Sequence, residues 1–299
     1  MAVATLAIAS GCGDDTGSGG GDPGAGSIQV QVSGEDLAVD GFRFPQGSEV
    51  TISDGWQIAF DHVIVTVGKV WLAESPDTSP SDQSKTGKTV AEAAGPWAID
   101  LATEGTVPGA GGEGTATPLV VFDKQNLNSD ASLAADQRYA FSYEVVAASS
   151  TAEKLSFVAG SDEAYADAVT RGCSMLYVGT ATFKGTACEV SDPAYDFTAI
   201  PTTVPFSLCF KTPTAFVNCQ NQDNQGDPFP DEEFQRGVAI KANEVSIAQL
   251  TFHIDHPFYS DVEHEPRLFF DQLAGGLVGQ PEGPVLNFDL LTGVDPTAF

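Results

Sequence analysis

From residue 27 onward, apolar side chains recur at every second position far more often than at helical spacing. That period belongs to strands with one face against a core. The fullest case runs from Trp56 to Trp71, WQIAFDHVIVTVGKVW, rich in β-branched and aromatic residues and too alternating for a helix. It is long enough for two strands, and Gly68 predicts a bend or bulge within it. Further strands are expected at residues 28–32, 97–101, 119–122, 139–147, 175–183, 204–210, 245–254 and 285–290. Two helices interrupt this pattern. Residues 161–172 offer a capping serine, acids in the first turn, Arg171 in the last and Gly172 to terminate; residues 266–273 begin on a proline. Long polar stretches at 75–95, 104–117 and 218–233 separate the strands. The pattern as a whole predicts an all-β fold, an antiparallel β-sandwich with long loops and one or two short connecting helices.

Three segments divide the chain. Residues 1–11 form a short apolar run, residues 12–27 are a flexible Gly/Ser/Asp-rich tether too polar to order itself, and residues 28–299 are the sandwich body. A sub-boundary within the body is expected near residues 148–154. The ending Ala9-Ser10-Gly11-Cys12 resembles a bacterial lipobox, although no Lys or Arg precedes the run. The resemblance implies a lipoprotein signal peptide cleaved before Cys12, with Cys12 as the lipid attachment site. Such a protein sits in the cell envelope, on the periplasmic or outer surface, held to a membrane only through its lipid.

Charge narrows the partners. With 41 acidic and 13 basic side chains the net charge is −28, so the chain repels nucleic-acid phosphate and is not expected to bind it. Cys173, Cys188, Cys209 and Cys219 form an even set suited to two disulfides in an oxidising compartment. Three pairings are open, and sequence proximity favours Cys173 with Cys188 and Cys209 with Cys219.

Catalytic motifs are scarce. Residues 84–89, SKTGKT, lack the upstream glycine of a phosphate loop, and no G-x-S-x-G elbow occurs. Asn221, Asp223, Gln225, Gly226 and Glu232 fall on the spacing of a calcium loop, but Asn stands first and Pro228 and Pro230 break the exit; weak Ca²⁺ binding at Asp223 and Glu232 is the most this segment could supply.

The informative constellation is histidine. Three of the four histidines lie within residues 253–264, in HIDHPFYSDVEH. In the strand over 245–254, Leu250, Phe252 and Ile254 share one face, leaving His253 and Asp255 on the other at a spacing that lets both reach one ion. For His256 to join them the chain must turn near Asp255. Pro257, which leaves the ladder and biases His256 toward an extended conformation, makes that departure feasible. His264 can return after the loop, with Asp261, Glu263 and Asp271 as spare acceptors. His62 is a fourth candidate, or else a buried histidine bonded to a neighbour. Imidazole and carboxylate donors without a thiolate suit Zn²⁺ or Cu²⁺.

The run from Asn218-Cys219 through residues 228–237 to His253-x-Asp-His-Pro-Phe258, His264 and Phe270-Asp-Gln272, with the earlier Gly55-Trp-x-x-x-Phe-Asp-His62, resembles a group of uncharacterised bacterial envelope lipoproteins of β-sandwich type. The resemblance implies the architecture and supplies no activity. Three functions remain open from the residues: non-catalytic binding of a divalent transition metal, a metal-free structural or adhesive module for a protein or glycan partner, and a metal-dependent hydrolase with Glu263 or Glu265 as base.

Overall fold

The computed structural model describes residues 24–44, 52–112, 114–185, 200–259, 268–275 and 286–290. The smaller of two sheets contains β1 (Ala25–Ser33), β4 (Val107–Pro108), β5 (Thr115–Phe122), β6 (Lys124–Gln125), β7 (Ala131–Ala134) and β14 (Val245–Thr251). Its order is β4-β5-β1-β7-β6, and β14 adds to β1 in parallel. The larger sheet is built on β2 (Trp56–Ala73), β8 (Arg138–Val145), β10 (Met175–Phe183), β11 (Thr203–Phe210), β12 (Thr214–Phe216) and β15 (Leu286–Leu290), in the order β12-β8-β2-β10-β11-β15. Three further strands attach to it: β3 (Thr89–Asp100) on β2, β9 (Glu153–Leu155) on β3, and β13 (Val238–Ala239) on β8. The fold is all-β and sandwich-like, as the periodicity predicts. The pairing is mixed rather than wholly antiparallel, because β1 with β14, β3 with β9 and β11 with β15 are parallel.

Alternation decides the core. Ile28, Val30 and Val32 of β1 are fully buried and pack with Val63, Val65 and Val67 of β2, so the main core lies between the sheets. Ile64 points the other way, into a small second cluster with Tyr165, Ala168, Leu176, Cys173 and Cys209. That cluster lies under α2 (Ser161–Arg171), which explains why the middle of β2 is apolar on both faces. The expected irregularity at Gly68 is present: register shifts between Val67 and Lys69 against both β3 and β8. A Cβ at Gly68 would stand 2.5 Å from Val146 Cγ1, so any other residue would have to push that side chain aside. Strands from both sides of residues 148–154 share one sheet, since β2 pairs with β10.

Local readings need three corrections. α2 ends at Gly172 in the left-handed conformation as expected, but its N-cap is Gly160, also left-handed, and Ser161 does not cap. Its hydroxyl donates instead to Asp100 Oδ2 at 2.8 Å. The second helix occupies Asp271–Gly275 (α3), later than expected, and a six-residue helix at Glu35–Asp40 (α1) carries no periodic signal long enough to announce it. The favoured disulfide pairing is wrong where it can be seen. Cys173 bonds Cys209, with Cα atoms 5.3 Å apart, because β10 and β11 are antiparallel neighbours and Leu176 faces Cys209 across them. Cys219 is a free thiol beyond β12, pushed up to about 12 by burial, and so inert as a nucleophile near neutrality. Cys188 and Cys12 lie outside the described residues. Among the described residues no helix is long and apolar enough to cross a membrane.

Candidate metal centre

The alternation of β14 continues past its last ladder residue. Phe252 and Ile254 are buried, His253 is exposed and Asp255 half-buried, so the two polar side chains leave the sheet on its outer side. A 3₁₀ turn over His256–Phe258 follows. Asp255 has helical dihedrals, φ −81 and ψ −27, and its carbonyl accepts from the Phe258 amide at 2.9 Å. The chain therefore does turn at Asp255. His256, however, lies in the turn rather than in the extended conformation expected before Pro257, which sits in its first residues. Phe258 anchors this reversal by packing edge-on against Phe42, ring centres 5.5 Å apart, and beside Phe60 and Phe270.

The reversal lays the His256 ring on that of His253, with centroids 5.1 Å apart and planes 18° from parallel. One ligand-capable atom each from His253, Asp255 and His256 lies within 4.8 Å of the other two. Asp255 is held from one side only. Its Oδ2 accepts the Tyr259 hydroxyl at 2.8 Å, whereas its Oδ1 is buried and meets no donor among the described residues. A buried carboxylate oxygen with no donor is costly unless a cation or proton occupies the space in front of it. The hydroxyl of the fully buried Tyr177 is likewise unsatisfied, and both burial and the charge of Asp255 raise its pKa. Tyr259 is pushed up to about 12, chiefly by burial and by its bond to Asp255, so it remains a donor at any physiological pH.

Burial lowers the pKa of His256, and the neighbouring His253 adds to that, against the opposing charges of Asp255 and Glu35. Neutral imidazole is the ligand form, so the ring is poised to coordinate near pH 7. Glu35 reaches the cluster from the other end of the chain, its Oε1 3.4 Å from His253 Nδ1. Both residues border a groove of about 430 Å³ that extends past Gln249 and Asn221 toward Tyr143 and Phe234.

Other candidates fall elsewhere. His62 is not part of the cluster: its Nδ1 is 2.8 Å from Oδ2 of the fully buried Asp100, which also takes the Ser161 hydroxyl, while Asp100 Oδ1 accepts the Val63 amide. The three make no hydrolytic triad, because serine and histidine both bind the aspartate and not each other. The network fastens α2 to β2, and Gly160 is required there, since a Cβ would approach His62 Nε2 to 2.7 Å. The structure lends the calcium reading no support. Oε1 of Glu232 accepts Nε of the buried Arg236 at 2.7 Å, and its Oε2 is buried without a partner among the described residues. Asp223 is exposed and outside the one group of convergent ligand atoms found among the described residues. Asp271 is buried beside Trp56, whose Nε1 donates to it at 2.7 Å, so it is not a spare acceptor for the histidines. His264, Asp261, Glu263 and Glu265 lie outside the described residues.

Sequence reasoning missed Glu35, Tyr177 and Tyr259. Tyr259 carried the only available signal, standing four residues after Asp255 on the far side of a proline. Comparison with protein-family models, with curated proteins and with solved structures finds no significant match.

Proposed function

We propose that this chain binds a divalent transition metal, Zn²⁺ or Cu²⁺, through His253, His256 and Asp255, as a lipid-anchored protein of the cell envelope. The observation that carries the metal reading is the buried, donorless Oδ1 of Asp255 within reach of two imidazoles. Two nitrogens and one carboxylate oxygen suit these ions and leave coordination positions open for exchange. The role is capture or handover, aided by a net charge of −28 that concentrates cations around the protein. The envelope address is supported by the lipobox-like ending at Cys12 and the polar tether behind it.

Two measurements test these halves separately. Protein stripped with a chelator and titrated with Zn²⁺ or Cu²⁺ should take up one equivalent, and His253→Ala with His256→Ala should weaken uptake at least ~100-fold. Unchanged uptake in the double variant overturns the site. For the anchor, Cys12→Ser should move the protein from the membrane fraction to the soluble fraction; continued co-sedimentation with membranes would remove the lipid from the account.

A further inference from the structure

The parallel pairing of β1 with β14 has its last rung at Ser33 opposite Thr251, and the Phe252 amide still donates to the Ser33 carbonyl at 2.9 Å. Two residues further along each chain come Glu35 and His253. Sheet register alone therefore brings together side chains 218 positions apart in sequence, and the Glu35 carboxylate stands 3.4 Å from His253 Nδ1.

Glu35 reaches this place through an uncommon backbone. Its φ is +58, in the left-handed region that a glutamate adopts only when its surroundings impose it. Ser33 does so: its hydroxyl accepts the Glu35 amide at 3.0 Å and donates to the Thr115 carbonyl at 3.0 Å, locking the corner between β1 and α1. Such strain at the edge of a ligand cluster is a common mark of function. The carboxylate does not serve His253 alone, since its charge also acts on His256 and on Tyr259.

We infer that Glu35 is a positioning residue of the metal centre, accepting Nδ1–H of His253 so that this ring presents the lone pair of Nε2 to the ion. This rests on the metal reading above. A carboxylate on one imidazole nitrogen fixes the tautomer and ring orientation and makes the other nitrogen a stronger donor. With Asp255, it also places a second negative charge near the ion, behind the His253 ring, at a site whose two imidazoles are exposed.

The test uses the full chain in detergent, stripped of metal and titrated with Co²⁺, whose visible absorption reports ligand geometry, and with Zn²⁺ in competition. Two variants separate the roles. Glu35→Gly tolerates the positive φ, so the metal-free protein should melt no lower than wild type while Zn²⁺ affinity falls 10- to 100-fold and the Co²⁺ bands shift. Glu35→Gln retains an oxygen that can accept Nδ1–H, so it should lose less affinity than Glu35→Gly. If wild type binds and Glu35→Gly binds within twofold of it, the role of Glu35 is overturned while the site stands. If Gln and Gly weaken binding equally, orientation of His253 is overturned. If wild type itself takes up no metal, the metal reading falls and this inference with it.

Discussion

Replacing Asp54 by asparagine is expected to stabilise the protein above pH 7 by roughly 4 kcal/mol, and to leave stability near pH 4 almost unchanged. Asp54 and Asp271 are 1% and 0% exposed and lie side by side where the chain enters β2 and α3. Asp54 Oδ2 accepts the amides of Phe270 and Asp271, each at 2.7 Å, and Asp271 Oδ1 accepts Trp56 Nε1. The remaining oxygens, Asp54 Oδ1 and Asp271 Oδ2, are buried and unpartnered among the described residues. Their surroundings include Trp56, Phe270 and Phe206, which offer no charge of opposite sign. Burial raises Asp54 to about 7, with the charge of Asp271 adding to it against the two amide bonds; burial raises Asp271 as well.

The sign follows from linkage. The folded protein holds a proton on Asp54 up to about pH 7, whereas the unfolded chain releases it near the ordinary carboxylate value of about 4. Between those values folding takes up a proton, so stability is greatest below the unfolded pKa and falls as pH rises through the folded one. Asparagine is neutral throughout and keeps an oxygen for the two amides. Urea denaturation of both proteins at pH 4.5, 6 and 8 isolates this group from the general relief of repulsion that any protein of charge −28 gains in acid. Parallel curves of stability against pH would show that the pair does not hold a proton.

Loss of the disulfide should be comparably severe. Cys173 and Cys209 close a 36-residue segment that includes all of β10, and both are fully buried in the cluster beneath α2. Loop entropy for a segment of that length assigns the bridge about 4 kcal/mol. Cys173→Ala with Cys209→Ala, or reduction of wild type, should therefore lower the unfolding free energy by about 3–4 kcal/mol, with the greatest loss of amide protection in α2. Cys219→Ala, outside any bridge, is the control. A double variant within 1 kcal/mol of wild type would mean that the small cluster holds α2 without covalent help.

How much of this was written in the chain depends on the distance over which each feature is decided. The strands β1 and β14 are legible because each buries alternate residues on one face, and β2 and β10 because they are rich in β-branched and aromatic residues, properties of consecutive side chains. Gly68 and Gly172 are legible for the same reason, as each answers a local backbone demand. In the candidate site the sequence marked His253, Asp255 and His256, and required a turn at Asp255. It overextended the set to His62 because a histidine on an apolar strand looks the same whether its partner is an ion or the buried Asp100, 38 residues away.

Alternation along single strands thus determined the fold class, and one dense run of imidazole and carboxylate determined where metal chemistry is to be sought. The tertiary structure alone decided the partners: Cys173 with Cys209, Asp54 with Asp271, Arg236 with Glu232, and Glu35 with His253. Side-chain period is set by neighbours a few ångströms apart along the backbone, whereas those pairings follow from which strands lie side by side and in what register. Register is settled by the packing of the whole core, so no local stretch of residues contains it.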